Sequence, residues 1–425
     1  MTIKLFFSSV FTAMLLAIPA QAQEKASNTT LITNVQIFDG YKVKTPSGSV
    51  RVADGKILEV SSGQLKSETS DRIIDGEGKF LMPGLIDAHV HVSWAFPFSK
   101  AHQAGDSYIT ATAVANASKM LKRGFTTVRD TAGTDYGLAY AIDEGVVPGP
   151  RIIFTGRSIT QTGGHADHRD IKAPSTDRMK FGFGATVADG TDEVTKAARE
   201  ELRKGAKFIK IHAGGGVSSP LDPMHSIQYS AEEMEAAVKS AKDWGTYVAA
   251  HAYTPESITR ALNAGVLTIE HGNLIDQKTA KLAADKGAYV VPNLVTYWAM
   301  DKAPNMPPYI KAKNKHVLDA MEGALKTLKA ENVKIAFGTD LIADMHGLQN
   351  QEFILRAEVF SSLEILRQVT SVNGSLIDLS GPLNTYGKVG VIEEGAIADM
   401  ILIDGNPIED ISLMTNPKTN FSLIM

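Results

Sequence analysis

The feature that most constrains the fold is a regular alternation of short apolar runs with amphipathic stretches rich in Ala, Glu and Lys. The apolar runs have the length and β-branched content of buried strands, and polar residues follow at their ends. There are eight such runs, at residues 85–91, 125–129, 151–155, 208–211, 247–251, 267–270, 288–293 and 334–339. Helical stretches separate them; in 230–244, Ser230 and Glu233 have the spacing of a capping box. Eight strand–helix units favour an α/β fold with a closed (β/α)8 TIM-like barrel over a doubly wound open sheet, since no Gly-x-Gly-x-x-Gly turn follows an early strand.

The two ends of the chain have a different, strand-like character. Residues 31–50 and 57–60 resemble residues 386–404 in their alternating apolar side chains and Gly-rich turns. We therefore predict one small β-sandwich domain built from both termini. The predicted boundaries are 23–82 and 381–425 for this domain and 83–380 for the barrel. Because little chain follows the Asp-Gly-Asn-Pro segment at 404–407, the last strand of the β-domain is expected to be short or missing.

Residues 1–22 have the pattern of a cleavable secretory signal peptide. Lys4 gives a positive start, residues 5–18 are apolar, and Ala20-Gln21-Ala22 supplies a small-x-small cleavage pattern. A membrane anchor is the alternative, but the apolar segment is short for a span of about 20 residues. We expect cleavage after Ala22 and an exported protein, periplasmic or secreted, with no membrane attachment afterwards.

Charge and cysteine content limit what the protein can bind. The formal net charge is -4 and the Lys and Arg residues are not clustered, so nucleic acid and anionic membranes are not expected partners. The chain contains no cysteine. Disulfides are therefore excluded, and any metal ion must be held by nitrogen and oxygen ligands.

Polar side chains capable of metal chemistry stand at the ends of five predicted strands. His89 and His91 end the first strand two positions apart, so both imidazoles point to the same face. The other four are Lys210, His251, His271 and Asp340, on strands four, five, six and eight. Each alone has an ordinary explanation, such as a core histidine or a helix-capping aspartate. The carboxyl ends of barrel strands meet at one mouth, however, and the joint pattern predicts a shared metal site.

Lys210 is the least expected member of this set, because a neutral lysine is a poor ligand and a charged one repels a cation. Reaction with carbon dioxide would give an anionic carbamate, whose two oxygens can each bind one of two divalent ions. His89, His91 and Asp340 would then hold one ion, and His251 and His271 the other. A hydroxide between the ions is the predicted nucleophile, with Asp340 accepting its proton and delivering it to the leaving group.

These residues stand in segments that resemble the metal-dependent amidohydrolase superfamily: "PGLIDAHVHV", the lysine of "FIKI", "HAYT", "IEHGN", "FGTD" and the tail "GKVGVIEEGAIADMILIDGNPIEDI". The likeness covers nearly everything after residue 22. It is nearest to the branch of imidazolonepropionase-like proteins, Xaa-Pro dipeptidases (prolidases) and ochratoxin-hydrolysing amidohydrolases. The resemblance implies a barrel with two zinc ions bridged by a carboxylated lysine, and hydrolysis of an amide with a free carboxylate on the leaving side.

The resemblance also implies roles for two loop residues. His165, in "TGGHADH", would donate a hydrogen bond to the scissile carbonyl, and Tyr229, in "MHSIQYS", would bind the substrate carboxylate. In the segment "PNLVTYWAM" after strand seven, Val295, Tyr297 and Trp298 are expected to line the substrate pocket. Barrels of this family often associate, so a homo-oligomer is expected, although no stretch identifies an interface.

The predicted function is hydrolysis of dipeptides or N-acyl amino acids, in the manner of an Xaa-Pro dipeptidase or carboxypeptidase, with ochratoxin-type amides as further substrates. A cyclic amidase or lactonase is the alternative. A non-catalytic metal- or ligand-binding barrel is disfavoured because none of the ligand residues is lost, and a mononuclear deaminase because Lys210 is present. His168, His212 and His225 receive no role, although His212 shares a strand face with Lys210.

Overall fold

The computed structural model describes residues 29–96, 100, 105–172, 184–304 and 306–425. The predicted signal peptide, residues 1–22, lies outside these ranges, so export and cleavage stay predictions. In the described ranges, no helix combines the length and the apolar character needed to cross a membrane.

The barrel is built from eight of the described strands, all of them parallel to their neighbours. They are β6 (Leu85–Val90), β7 (Phe125–Asp130), β8 (Arg151–Phe154), β11 (Ile209–His212), β12 (Val248–Ala252), β13 (Thr268–His271), β14 (Tyr289–Val291) and β15 (Lys334–Ile335). Two short strands, β9 (Ile159–Thr160) and β10 (Thr186–Val187), lie in the loop that follows β8 and extend the sheet beside β11. Backbone hydrogen bonds complete the ring, among them those from Lys207 N to Phe154 O (2.8 Å) and from Ala88 N to Phe337 O (2.8 Å). The prediction of eight barrel strands is confirmed.

Helices follow most barrel strands and cover the outside of the ring. The described helices are α1 (Asp106–Lys122), α2 (Tyr136–Asp143), α3 (Gly190–Arg203), α4 (Ala231–Asp243), α5 (Pro255–Ala264), α6 (Gln277–Asp285), α7 (Leu294–Lys302), α8 (Pro308–Ala330), α9 (Glu352–Ala357), α10 (Ser362–Arg367), α11 (Asn373–Ile377) and α12 (Pro417–Asn420). Helix α4 begins with the predicted capping box, in which Glu233 N donates to Ser230 Oγ and Ser230 N donates to Glu233 Oε2.

A second sheet joins the two ends of the chain. Its described strands are β1 (Thr29–Phe38), β2 (Val43–Ala53), β3 (Lys56–Ser61), β4 (Asp71–Asp75), β5 (Phe80–Pro83), β16 (Met400–Ile403) and β17 (Phe421–Ile424). They lie in the order β17-β16-β5-β1-β2-β3, with β4 also paired to β1. The antiparallel pairing of β5 with β16 is the point where the amino-terminal and carboxyl-terminal segments meet.

One expectation about the carboxyl-terminal segment needs correction, and a second is confirmed. Of residues 386–404, which the sequence suggested to be strands, only Met400–Ile403 form one; turns at Gly387, Gly390 and Gly395, all with positive φ, occupy the rest. The last strand is short, as expected, but it is not missing: β17 pairs antiparallel with β16 over Phe421–Ile424.

Candidate active site

The barrel strands deliver the predicted residues to one cavity of about 730 Å³ at their carboxyl ends. This placement follows from the parallel direction of the strands, which brings all their ends to the same mouth. Seven predicted site residues line the cavity: His89, His91, His165, Lys210, His251, His271 and Asp340. Tyr229, Val295 and Trp298, which were also expected at the site, do not line the cavity.

His89, His91 and Asp340 form the tightest group. The Nε2 atoms of His89 and His91 lie 3.2 and 3.0 Å from the same oxygen, Asp340 Oδ1. His89 donates from Nδ1 to Glu270 Oε2 (2.8 Å), and His91 donates from Nδ1 to the carbonyl of Ala132 (2.9 Å). Each Nδ1 thus has an oxygen acceptor, and each Nε2 faces the Asp340 carboxylate oxygen. A cation, either a proton or a metal ion, is needed between them.

The charge state of this group follows from the same geometry. Burial alone would lower the pKa of His91, but the adjacent Asp340 carboxylate outweighs it and raises this pKa. Burial would likewise raise the pKa of Asp340, yet the two histidines hold it well below its usual range. Asp340 (φ 52°) and His271 (φ 79°) have left-handed backbone, which costs about 1–3 kcal/mol per residue and is typical of functional sites.

A buried ion pair lies behind His89. Burial opposes ionisation of Glu270, but Arg129 lowers its pKa: Arg129 Nη2 is 2.6 Å from Glu270 Oε1, and neither side chain is exposed. Thr268 Oγ1 donates to the same carboxylate (2.9 Å). Glu270 is thus kept as an anion that fixes the His89 Nδ1–H, the arrangement that orients metal-binding histidines.

Lys210 is buried in the cavity wall next to these groups. Burial lowers its pKa to about 8, against the opposing charges of Glu270 and Asp340. Among the described residues its amine has no hydrogen bond or ion pair. A lysine that is easily deprotonated and unpaired is chemically suited to carboxylation, since only the neutral amine reacts with carbon dioxide.

His251 and His271 are adjacent, with ring centroids 4.4 Å apart, but their other neighbours differ. Burial lowers the pKa of both histidines well below 6.5, so both are neutral. His271 Nδ1 lies 2.6 Å from the hydroxyl of Tyr297, which is 2.7 Å from the hydroxyl of Tyr253. His251 instead stacks on His165, with centroids 4.2 Å apart.

His165 is held by the loop after β11. Its Nδ1 lies 2.7 Å from Ser219 Oγ and 3.4 Å from Asp222 Oδ2, which leaves Nε2 for the cavity. The loop passes so close that a Cβ on Gly216 would overlap the imidazole, so this position requires glycine. The "AGGG" segment therefore shapes the space around His165.

The structure places Tyr229 away from the cavity. Its side chain is buried, and its hydroxyl donates to the carbonyl of Ala188 (2.9 Å) in the protein interior. The expected contact with a substrate carboxylate is therefore corrected, because neither access nor a free hydroxyl hydrogen is present. Tyrosines that do line the cavity include Tyr253, which lies two residues after His251.

The prediction for the segment after strand seven is partly confirmed. This segment forms helix α7; Tyr297 lines the cavity, whereas Val295 and Trp298 pack outside it. Of the histidines without a role, His168 and His212 line the cavity and His225 is exposed. Sequence reasoning missed Glu270, Arg129 and Asp222, whose importance depends on partners more than 50 residues away in the chain.

The donor set fits divalent metal ions. One group offers two imidazole Nε2 atoms and a carboxylate oxygen, all converging without a protein donor between them. Imidazole and carboxylate are the ligands that zinc binds where cysteine is absent. The ring nitrogens of His251 and His271, with Lys210 beside them, offer a second position.

Comparisons with known proteins agree with this geometry. The chain matches the amidohydrolase family over residues 80–422. It is similar to a prolidase solved in complex with N-methylphosphonate-L-proline (39% identity, TM-score 0.87, covering 94% of this chain and 98% of that one). It is also similar to a Xaa-Pro dipeptidase with methionine bound in its active site (30% identity, TM-score 0.83, 94% and 98% coverage). Among curated proteins it is 29% identical to ochratoxinase from Aspergillus niger over 361 residues, 80% of this chain and 73% of that protein.

These likenesses bear directly on the sequence predictions. The predicted fold class was a TIM-like barrel with a small β-sandwich domain built from both termini. The TIM-like barrel with an additional sheet domain is shared by such structures and is confirmed. The predicted enzyme class, a metal-dependent hydrolase of amide bonds, is likewise supported. The chain belongs to the amidohydrolase family.

Proposed function

We propose that this amidohydrolase cleaves dipeptides and N-acyl amino acids, with Xaa-Pro dipeptides as the preferred class. The observation that carries the proposal is the convergence of His89, His91 and Asp340 beside Lys210, His251 and His271 in one open cavity. The likeness to a prolidase and a Xaa-Pro dipeptidase, at 39% and 30% identity over most of both chains, supports this substrate class.

Two zinc ions are the proposed cofactors. His89, His91 and Asp340 would hold one ion; His251, His271 and a carboxylated Lys210 would hold the other. Carboxylation forms a bond between Lys210 Nζ and the carbon of carbon dioxide and releases one proton. When bound, the ions would supply Lewis acidity and bring the pKa of water towards neutrality.

The chain's own residues then handle the proton and the carbonyl. Asp340, held ionised beside the two histidines, accepts the proton of the attacking water and returns it to the amine leaving group. With the Ser219 hydroxyl donating to its Nδ1, His165 carries its ring hydrogen on Nε2 and donates it to the carbonyl oxygen, where negative charge develops.

Tyr253 is the proposed anchor for the substrate carboxylate in place of Tyr229. With Nδ1 of His271 as donor to Tyr297, and Tyr297 as donor to Tyr253, the hydroxyl hydrogen of Tyr253 is left for the cavity. A substrate carboxylate would accept it in a hydrogen bond of the stronger, charge-assisted kind.

The test is a hydrolysis panel with zinc and bicarbonate present. It contains Xaa-Pro and other dipeptides, N-acyl amino acids, an ochratoxin-type amide, and each amide with its carboxylate converted to the methyl ester, together with cyclic amides and lactones. Turnover restricted to free carboxylates, with a raised KM for Tyr253→Phe, supports the proposal. Turnover of lactones or cyclic amides alone overturns it in favour of a cyclic amidase or lactonase.

A further inference from the structure

Three histidines apart from the His89–His91–Asp340 group converge on one part of the cavity wall. His165, His212 and His251 each offer one ring nitrogen, and these atoms all lie within 4.8 Å of one another. The rings pack together, with centroids 4.2 Å apart for His165 and His251 and 5.3 Å apart for His212 and His251. The three histidines come from separate segments of the chain: the loop that follows β8, strand β11 and strand β12, in that order.

His212 supplies the observation that points to a ligand. It is only 8% exposed and follows Lys210 by two residues on β11, so both side chains point into the barrel mouth. Its Nε2 lies 3.0 Å from Ser158 Oγ, but its Nδ1 has no partner in the described part of the chain. An unpaired buried polar atom is unfavourable, and a ligand at Nδ1 would give it a partner.

We propose that His165, His212 and His251 form a binding site for one divalent transition-metal ion, occupied when Lys210 is not carboxylated. Imidazole nitrogen suits zinc, copper and nickel, and three imidazoles with an open fourth position form a known type of zinc site. At Zn–N bonds of about 2.0–2.1 Å, the nitrogens of a tetrahedral ion lie about 3.3 Å apart. Ring nitrogens at the 4.8 Å limit would therefore have to approach one another by about 1.5 Å.

The inference rests on the proposed function in one respect, that His251 is a ligand of the second ion. Without carbon dioxide, Lys210 offers a cation or a neutral amine and no anionic oxygen, so the position between Lys210 and His271 binds a metal ion poorly. The three histidines need no carbamate. The second ion therefore has two alternative positions, and only the one beside Lys210 leaves His165 Nε2 for the substrate carbonyl. The concentration of carbon dioxide would thus determine which fraction of the enzyme has its second ion beside Lys210 and is active.

The experiment measures Co²⁺ bound per chain by equilibrium dialysis, in buffer stripped of carbon dioxide and in buffer with bicarbonate. In stripped buffer, wild type and Lys210→Met should bind two ions, whereas His212→Phe should bind one. With bicarbonate, His212→Phe should recover the second ion. His225→Phe, which removes an exposed histidine, is the matched control and should behave as wild type.

Two ions on His212→Phe in stripped buffer, or one ion on wild type or Lys210→Met there, would overturn the inference. If His212→Phe does not fold, anomalous scattering from wild-type crystals soaked in Co²⁺ without carbon dioxide decides instead. A peak bonded to His165, His212 and His251 supports the site, and a peak between His251 and His271 overturns it. Failure of the proposed function would look different, because protein with two ions in bicarbonate would then hydrolyse nothing in the panel.

Discussion

The tautomers of two histidines determine what the centre of the site can bind. Because His89 and His91 give their Nδ1 hydrogens to Glu270 and Ala132, their Nε2 lone pairs meet at Asp340. Glu270, the acceptor behind His89, is itself buried, and its charge is stabilised mainly by the ion pair with Arg129. Metal affinity and stability are therefore linked through one carboxylate.

Replacing Glu270 with glutamine tests this link. Glu270→Gln should lower zinc affinity by about 10–100-fold, because the His89 ring loses its anionic acceptor. It should also lower the free energy of unfolding by about 3–5 kcal/mol, because Arg129 is left buried without a counter-charge. Zinc titration and urea unfolding measure the two effects. Asp399→Asn breaks the Arg151–Asp399 pair away from the cavity and should leave zinc affinity unchanged; an unchanged affinity in Glu270→Gln would refute the link.

The buried amine of Lys210 makes the stability of the metal-free protein depend on pH. Its folded pKa of about 8 lies below the ordinary 10.5, so between these values the unfolded chain binds more protons. The free energy of unfolding should therefore rise by about 3 kcal/mol from pH 8 to 10.5, relative to Lys210→Met. Below pH 8 the full penalty of burying the charged amine is present. Urea unfolding in chelator and without carbon dioxide measures this pH dependence. If the free energies of unfolding of wild type and Lys210→Met differ by the same amount across this range, the lowered pKa of Lys210 is contradicted.

Single residues also show what sequence alone could provide. The rule that residues two apart on a strand share a face correctly paired His89 with His91, and the same rule applied to "HAYT" would have chosen Tyr253 over Tyr229. The contacts of Glu270 with His89 and Arg129 could not be predicted from the sequence, because these residues lie on three different strands, β13, β6 and β7. Their side-chain contacts depend on barrel register, which a sequence pattern does not specify.

At the scale of elements, helix α8 holds the loop that positions His165. Lys313 Nζ donates to the carbonyls of Gly216 (2.9 Å), Ser219 (2.8 Å) and Asp222 (2.7 Å). These bonds fix the turn from which Ser219 and Asp222 reach His165 Nδ1. The loop contains three consecutive glycines and would otherwise have wide conformational freedom.

Lys313→Met should therefore loosen this loop without disturbing the metal ligands. We expect backbone amides of residues 213–229 to exchange hydrogen faster, by an amount equivalent to about 2 kcal/mol of local opening. Hydrolysis should slow while bound metal stays at the wild-type amount. Lys315→Met, on the same helix but paired to exposed Asp319, is the control and should change neither measurement. If amide hydrogen exchange in this loop is unaltered in Lys313→Met, Lys313 does not hold the loop in place.

Element boundaries separate what the sequence predicts well from what it does not. For long periodic units such as β11–α4–β12, the predicted ends lie within one or two residues of those in the structure. The buried faces of these elements leave a clear pattern of apolar residues in the sequence. The predicted strand 334–339 is shorter in the structure, where β15 ends at Ile335. Beyond that point backbone hydrogen bonds to both neighbouring strands continue, from Ala336 N to Val290 O (2.9 Å) and from Asp340 N to His89 O (2.8 Å). The left-handed φ of Asp340 (52°) ends the extended conformation one residue after the predicted end of the strand.

At the scale of the molecule, the sheet domain closes the bottom of the barrel and joins both ends of the chain. Phe421, at the start of β17, packs against barrel residues Gly124 and Leu85.

Phe421→Ala should lower the free energy of unfolding by about 2 kcal/mol. This is less than the ~3–5 kcal/mol of a fully buried phenylalanine, because the ring is only half-buried. Urea unfolding measures this, with Ser422→Ala as control; equal stability of the two variants would contradict the packing role.

The central claim is that the histidines and Asp340 at the barrel mouth hold divalent ions that amide hydrolysis requires. The most direct test is to strip the protein of metal, add zinc stepwise with bicarbonate present, and follow release of proline from a Xaa-Pro dipeptide. We expect no hydrolysis without metal, full activity at two zinc ions per chain, and loss of activity in Asp340→Asn. Undiminished hydrolysis by the metal-free protein, or by Asp340→Asn, would contradict the claim.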